Sequence, residues 1–176
     1  MHGGGLGGLA PGQWSDDTEM AICIAQVAAT GAELRSEGAL DAIAAGFLRR
    51  LADGPPDIGV QTGRVLREAA GAGGGADDMR RIAVDLHGQT GRTVGNGSLM
   101  RTSPVPLAHL GDADATVVAA RAVSELTHHD PVAATPASCG AWLSTTRCAP
   151  ASWTYGSAST TSTPATGQRF WTRPRR

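Results

Sequence analysis

Lysine is missing from this chain: all 15 basic residues are arginine, aromatic side chains make up only 4% of it, and no Asp or Glu occurs after Asp130. Nowhere do 18 apolar residues run together, which excludes a membrane-spanning helix from the reading. The opening MHGGGLGGLAPGQW has neither the basic start nor the apolar centre of a secretory signal, so a soluble protein is expected. Cys23, Cys139 and Cys148 are odd in number and far apart. That pattern fits neither a disulfide framework nor a CxxC metal knuckle, and points to a reducing cytoplasm. With 15 basic against 16 acidic residues the formal charge is −1. Such a chain has no field to gather nucleic acid or an anionic membrane, and neither is an expected partner. Arginine in place of lysine, with abundant Gly and Ala, reflects a GC-rich genome and carries little chemistry.

What remains is enough for one domain with a core, at 176 residues. Met20, Cys23, Ile24, Val27 and Ala28 recur at three and four and predict a first helix closed by Gly31. Ser36 precedes a stripe through Leu40, Ile43, Ala44, Phe47, Leu48 and Leu51, ended by Gly54, Pro55 and Pro56, which predicts a second. A third fits Val60 to Ala70, and a glycine-rich break at 71–75 separates it from a fourth around Asp77 to His87. Residues 91–106 read as a loop, after which Asp112 caps a helix through Val117, Val118, Ala122 and Leu126. No sustained period-two alternation occurs, so the fold class is all-α. From about residue 133 the helical period vanishes into Ser, Thr, Pro and Arg, a composition that favours a disordered tail.

Several short stretches carry possible chemistry, and each has a plainer local reading. In GQWSDDTEM (12–20), Ser15, Asp16 and Asp17 offer the hard oxygens that Mg²⁺ prefers. The same residues also make an N-cap, with Glu19 completing a capping box. Adjacent side chains on a helix diverge by about 100°, so ligation by both acids requires an irregular helix start or two ions. Gly95 and Gly97 bracket Asn96 in GNGSLMR, where absent Cβ atoms would let backbone amides and Ser98 approach a phosphate. An ordinary turn needs no ligand. His128 can donate and accept hydrogen bonds when neutral, or simply complement a helix C-terminus when charged. Asp57 is a cap or a ligand contact, and Asp112 and Asp114 in GDADAT are better read as helix-capping than as a DxD metal motif.

Three motifs in order, GQWSDDTEM, VGNGSLMRTSPVPL (94–107) and SELTHHDP (124–131), together resemble the ADP-ribosylglycohydrolase family. PPDIGVQTGRVL (55–66) is similar to a fourth family segment. The resemblance covers roughly residues 3 to 133. It implies an all-α hydrolase, an orthogonal helical bundle, that binds two Mg²⁺ ions and cleaves an ADP-ribosyl bond to a protein side chain or small acceptor. It further implies Ser15, Asp16 and Asp17 as metal ligands, with Asp16 or Asp17 assisting as the catalytic carboxylate. The substrate contacts it implies are Asp57, Gly91, Arg92, Thr93, Val94, Gly95, Asn96, Gly97, Ser98 and His128; His129 has no comparable counterpart.

The sequence departs from the family in two places. Members usually carry a Gly-Asp-Ala-Leu-Gly-like helix about fifty residues before the SDDT motif, which here begins at residue 15. The second metal motif, a Gly-Asp-Thr-Asp-Thr-like run, is absent. The expectation is a partial domain over 1–133, followed by a non-family tail over 134–176 that arises from truncation or a shifted reading frame. Weak turnover, or a catalytically inactive ADP-ribose-binding remnant, follows from half a ligand set.

Overall fold

Ser36 begins the helix that organises the rest: its hydroxyl accepts from Ala39 N at 3.3 Å, and the apolar stripe that follows is buried along its length. The computed structural model describes residues 4, 8–91, 93 and 95–131. In chain order the helices are α1 (Asp16–Ala28), α2 (Glu37–Ala52), α3 (Val60–Ala72), α4 (Ala76–Thr90), α5 (Val105–Ala108) and α6 (Ala113–Glu125). Among the described residues there is no strand, only an isolated bridge between Gly4 and Leu9, and the fold is all-α. None of these helices is long and apolar enough to cross a membrane. The tail expected over 134–176 lies outside the described residues.

Two boundaries differ from the sequence reading. α1 begins at Asp16, ahead of the first apolar residue Met20, because its first turn lies at a cavity rim and needs no apolar face. The stretch predicted as loop over 91–106 ends in the short α5, which starts at Val105 behind Pro104. The other ends agree within a few residues, and Asp112 caps α6 as expected, accepting from Ala115 N at 2.8 Å.

The core forms where the stripes meet: Met20 and Ile24 of α1, Leu40, Ile43 and Phe47 of α2, Val65 and Leu66 of α3, Met79, Ile82 and Leu86 of α4, and Ala119 and Val123 of α6. Burying each large aliphatic or aromatic side chain contributes about 1.5–3 kcal/mol. α1 lies so near α2 that a Cβ on Gly46 would sit 3.0 Å from Cys23 Cβ. Two helix starts are capped from a distance: Asp41 of α2 accepts from Ala76 N at 2.8 Å, and Asp57 accepts from Asp16 N at 3.4 Å. Leu107, Leu110 and Val118, on α5, α6 and the turn between them, stay exposed.

Candidate functional site

The acid pair opens α1. Ser15 occupies the N-cap position, yet its side chain makes no capping bond. Glu19 does not turn back to close a capping box: its Oε2 accepts from Arg50 Nε at 2.7 Å. The local capping reading of this stretch is therefore not the one the chain adopts. Asp57 Oδ2 accepts from Asp16 N instead, while Asp16 Oδ2 accepts from Gly59 N at 3.3 Å. These reciprocal bonds lace the start of α1 to the start of α3, whose own N-cap is Gly59 and not Asp57. Arg50, only 7% exposed, fixes the assembly from behind, with Nη2 donating to Asp57 O at 3.0 Å and to Asp57 Oδ1 at 3.4 Å. Partial burial and the neighbouring charges of Asp16 and Asp57 hold the Asp17 carboxyl above its ordinary range.

The glycine turn faces this corner, and it does so for a reason the sequence did not disclose. A Cβ on Gly97 would lie 3.0 Å from His128 Cε1 and 3.2 Å from both His128 Nε2 and Thr62 Oγ1; one on Gly95 would lie 3.2 Å from His128 Nε2. Neither glycine has a positive φ, so room for the imidazole, not backbone freedom, demands glycine here. His128 itself is 1% exposed, beyond the end of α6. Burial, aided by the positive charge of Arg101, pushes its pKa down to about 3. Burial beside Arg101 favours the neutral ring, which can donate and accept hydrogen bonds, over a charged His128 that complements a helix C-terminus.

Asp16, Asp17, Gly95, Asn96, Gly97 and His128 line one cavity of about 280 Å³. The structure thus brings the early acids and the glycine turn together. Gly59, Val60, Gln61, Thr62 and Met100 complete the lining; the first four belong to PPDIGVQTGRVL, where only Asp57 was singled out. Ser15 and Asp57 are not among the lining residues. Gly91 ends α4 in the left-handed region, its N donating to His87 O at 2.8 Å. Thr93 is buried, 2.7 Å from His87 Nδ1, and Ser98 is buried with its Oγ unpartnered. Arg92 and Val94 lie outside the described residues. A larger cavity of about 430 Å³, lined by Trp14, Cys23, Arg49 and Pro55 among others, touches neither the acid pair nor the turn. Among the described residues, no group of three or more His, Cys, Asp or Glu is arranged to hold a metal ion.

An all-α frame that lines one cavity with two carboxylates, a glycine turn and a buried histidine offers a candidate site for a small polar ligand. A family model described as ADP-ribosylglycohydrolase matches residues 1–163, and the chain belongs to that family of hydrolases, which act on ADP-ribosylated substrates. No curated protein matches the chain.

Proposed function

We propose that this chain binds ADP-ribose in the 280 Å³ cavity and hydrolyses an ADP-ribosyl bond there with help from Mg²⁺, at a reduced rate. The observation that carries the reading is that Asp16 and Asp17 share one cavity with Gly95, Asn96, Gly97 and His128. The two walls of that cavity differ in chemistry. Gly59 to Thr62 supply the first turn of α3, where backbone N–H groups lack helical acceptors and the dipole favours an anion such as a diphosphate. Beside it the lining is acidic, with Asp16 Oδ2 accepting from Gly59 N at 3.3 Å and Asp17 next to it.

The acidic wall fits a hydrated magnesium ion in donor type and charge. Asp16 and Asp17 would hold it together with waters, the usual style of Mg²⁺ binding, and the Ser15 hydroxyl is not used in a cap. A cation there would relieve the crowding that raises Asp17. When bound, the ion supplies polarisation of a ribosyl oxygen and of a water. The protein's own part begins with Asp16, oriented by the Gly59 N–H. Asp17, which also lines the cavity, would hold the ion beside it or accept a proton from a water in the cavity. His128 and the turn orient the ligand. Among the described residues Asp16 and Asp17 are the acids that line the cavity, a donor set that supports slow turnover; a chain that binds ADP-ribose without cleaving it is the second reading.

Calorimetry with ADP-ribose in the presence and absence of Mg²⁺ tests the binding, and release of ADP-ribose from an ADP-ribosylated protein tests the chemistry. Binding that Mg²⁺ strengthens, and that Asp16→Asn weakens, is the expected result. Wild-type protein that binds no ADP-ribose under either condition would overturn the proposal, and binding without any release favours the second reading.

A further inference from the structure

Arg101 is fully buried, and two of its nitrogens, Nε and Nη1, have no hydrogen-bond partner among the described residues. Its Nη2 donates to Thr127 Oγ1 at 2.7 Å and to Val123 O at 3.2 Å, and its guanidinium lies 4.8 Å from the centre of the Phe47 ring. A charge in such a place is costly, and a methionine or leucine would fill the space more cheaply. The arrangement therefore calls for a role other than packing.

Thr127 Oγ1 is also 2.8 Å from His128 Nδ1. A guanidinium can only donate, so its contact takes a lone pair of the Thr127 oxygen and leaves the hydroxyl hydrogen to be placed elsewhere. A threonine hydroxyl near a helix end otherwise returns its hydrogen to the carbonyl four residues back. Here that carbonyl is Val123 O, and Thr127 makes no such bond: Val123 O accepts from Arg101 Nη2, and the Thr127 oxygen is shared between Arg101 Nη2 and His128 Nδ1. The remaining acceptor is His128 Nδ1. A ring that accepts at Nδ1 carries its proton on Nε2, and Nε2 is the atom that faces Gly95 and Gly97.

We infer that Arg101 is a positioning residue: acting through Thr127, it fixes His128 as the Nε2–H tautomer, so that the ring offers the cavity a hydrogen-bond donor and no lone pair. The ligand atom it would meet is an acceptor, a phosphate or ribose oxygen. That identity alone rests on the ADP-ribose reading above, because the tautomer belongs to the free protein. Burial first, and the charge of Arg101 second, disfavour a second proton on the ring, which a single neutral tautomer requires.

Long-range ¹⁵N–¹H NMR of the imidazoles in the full chain reads the tautomer directly, with His128→Gln assigning the signal. Wild type is expected to show a protonated Nε2 and a bare Nδ1. Thr127→Ser keeps the hydroxyl and this signature, and its affinity for ADP-ribose stays within about twofold. Thr127→Val and Arg101→Met lose the single tautomer, and affinity falls about 5- to 10-fold, the worth of one hydrogen bond. A wild-type proton on Nδ1 overturns the inference, as does an unchanged tautomer in folded Thr127→Val or Arg101→Met. Should those variants fail to fold, the wild-type and Thr127→Ser spectra decide. A wild type with Nε2–H that binds no ADP-ribose supports the relay and overturns only the ligand assigned to the cavity.

Discussion

His128 ties stability to pH through a single ring. Folded, it stays neutral until about pH 3; unfolded, it takes a proton near 6.5. Between those values the unfolded chain binds more protons, so stability falls as pH drops through the window, by about 2 kcal/mol at pH 5. Urea melts at pH 7 and pH 5 should show this loss in wild type and much less of it in His128→Gln. Gly97 tests the same contact from the other side. An alanine there would meet the ring and Thr62 Oγ1 at once, and neither is free to give way. Gly97→Ala should cost about 1–3 kcal/mol in urea denaturation and weaken ADP-ribose binding at least tenfold by calorimetry.

Among helices the decisive member is Arg50, which joins α1, α2 and the approach to α3. Arg50→Ala would leave Glu19 and Asp57 facing a hole, at a cost of about 3 kcal/mol in urea unfolding. Arg50→Lys should recover less than half of that, because one ammonium cannot reach Glu19 Oε2 and Asp57 O together. None of this could be seen in the sequence, where Arg50 is one polar residue beside a stripe and Glu19 suggests a capping box. The helices themselves were legible because period, caps and glycine stops are local signals: Ser36, Asp112 and Gly91 each do at the helix end what their type suggests. Contacts between distant segments leave no such trace. Asp41 at the start of α4 and Asp57 at the start of α1 stand 35 and 41 residues from the amides they serve. The glycine turn was found as a motif, but its partner ring was assigned only by resemblance, and Gln61 and Thr62 carried no signal beyond their place in a matching segment.

For the molecule as a whole, the acid pair sets function against stability. Asp17 resists ionisation in the folded chain, so at neutral pH its charge works against folding, and this penalty fades as pH falls into the carboxylate range. Asp17→Asn should therefore raise the melting temperature of the ligand-free protein at pH 7 while weakening Mg²⁺-dependent binding of ADP-ribose. Thermal melts beside calorimetry check both directions; a variant that is neither more stable nor a weaker binder would contradict the placement of Asp17 at the ion.

The crossed bonds between Asp16 and the segment from Asp57 to Gly59 have one more outcome. The oxygen that holds the Gly59 amide is also one that would greet a cation, so loading the ion tugs on the neighbouring helix tip where the nucleotide would rest. Cation and nucleotide should then bind with positive cooperativity, and thermodynamic reciprocity requires that each improve the other by the same factor. Measuring Mg²⁺ affinity with and without ADP-ribose, and the reverse, closes that square; equal affinities all round would mean that the two helix tips move independently.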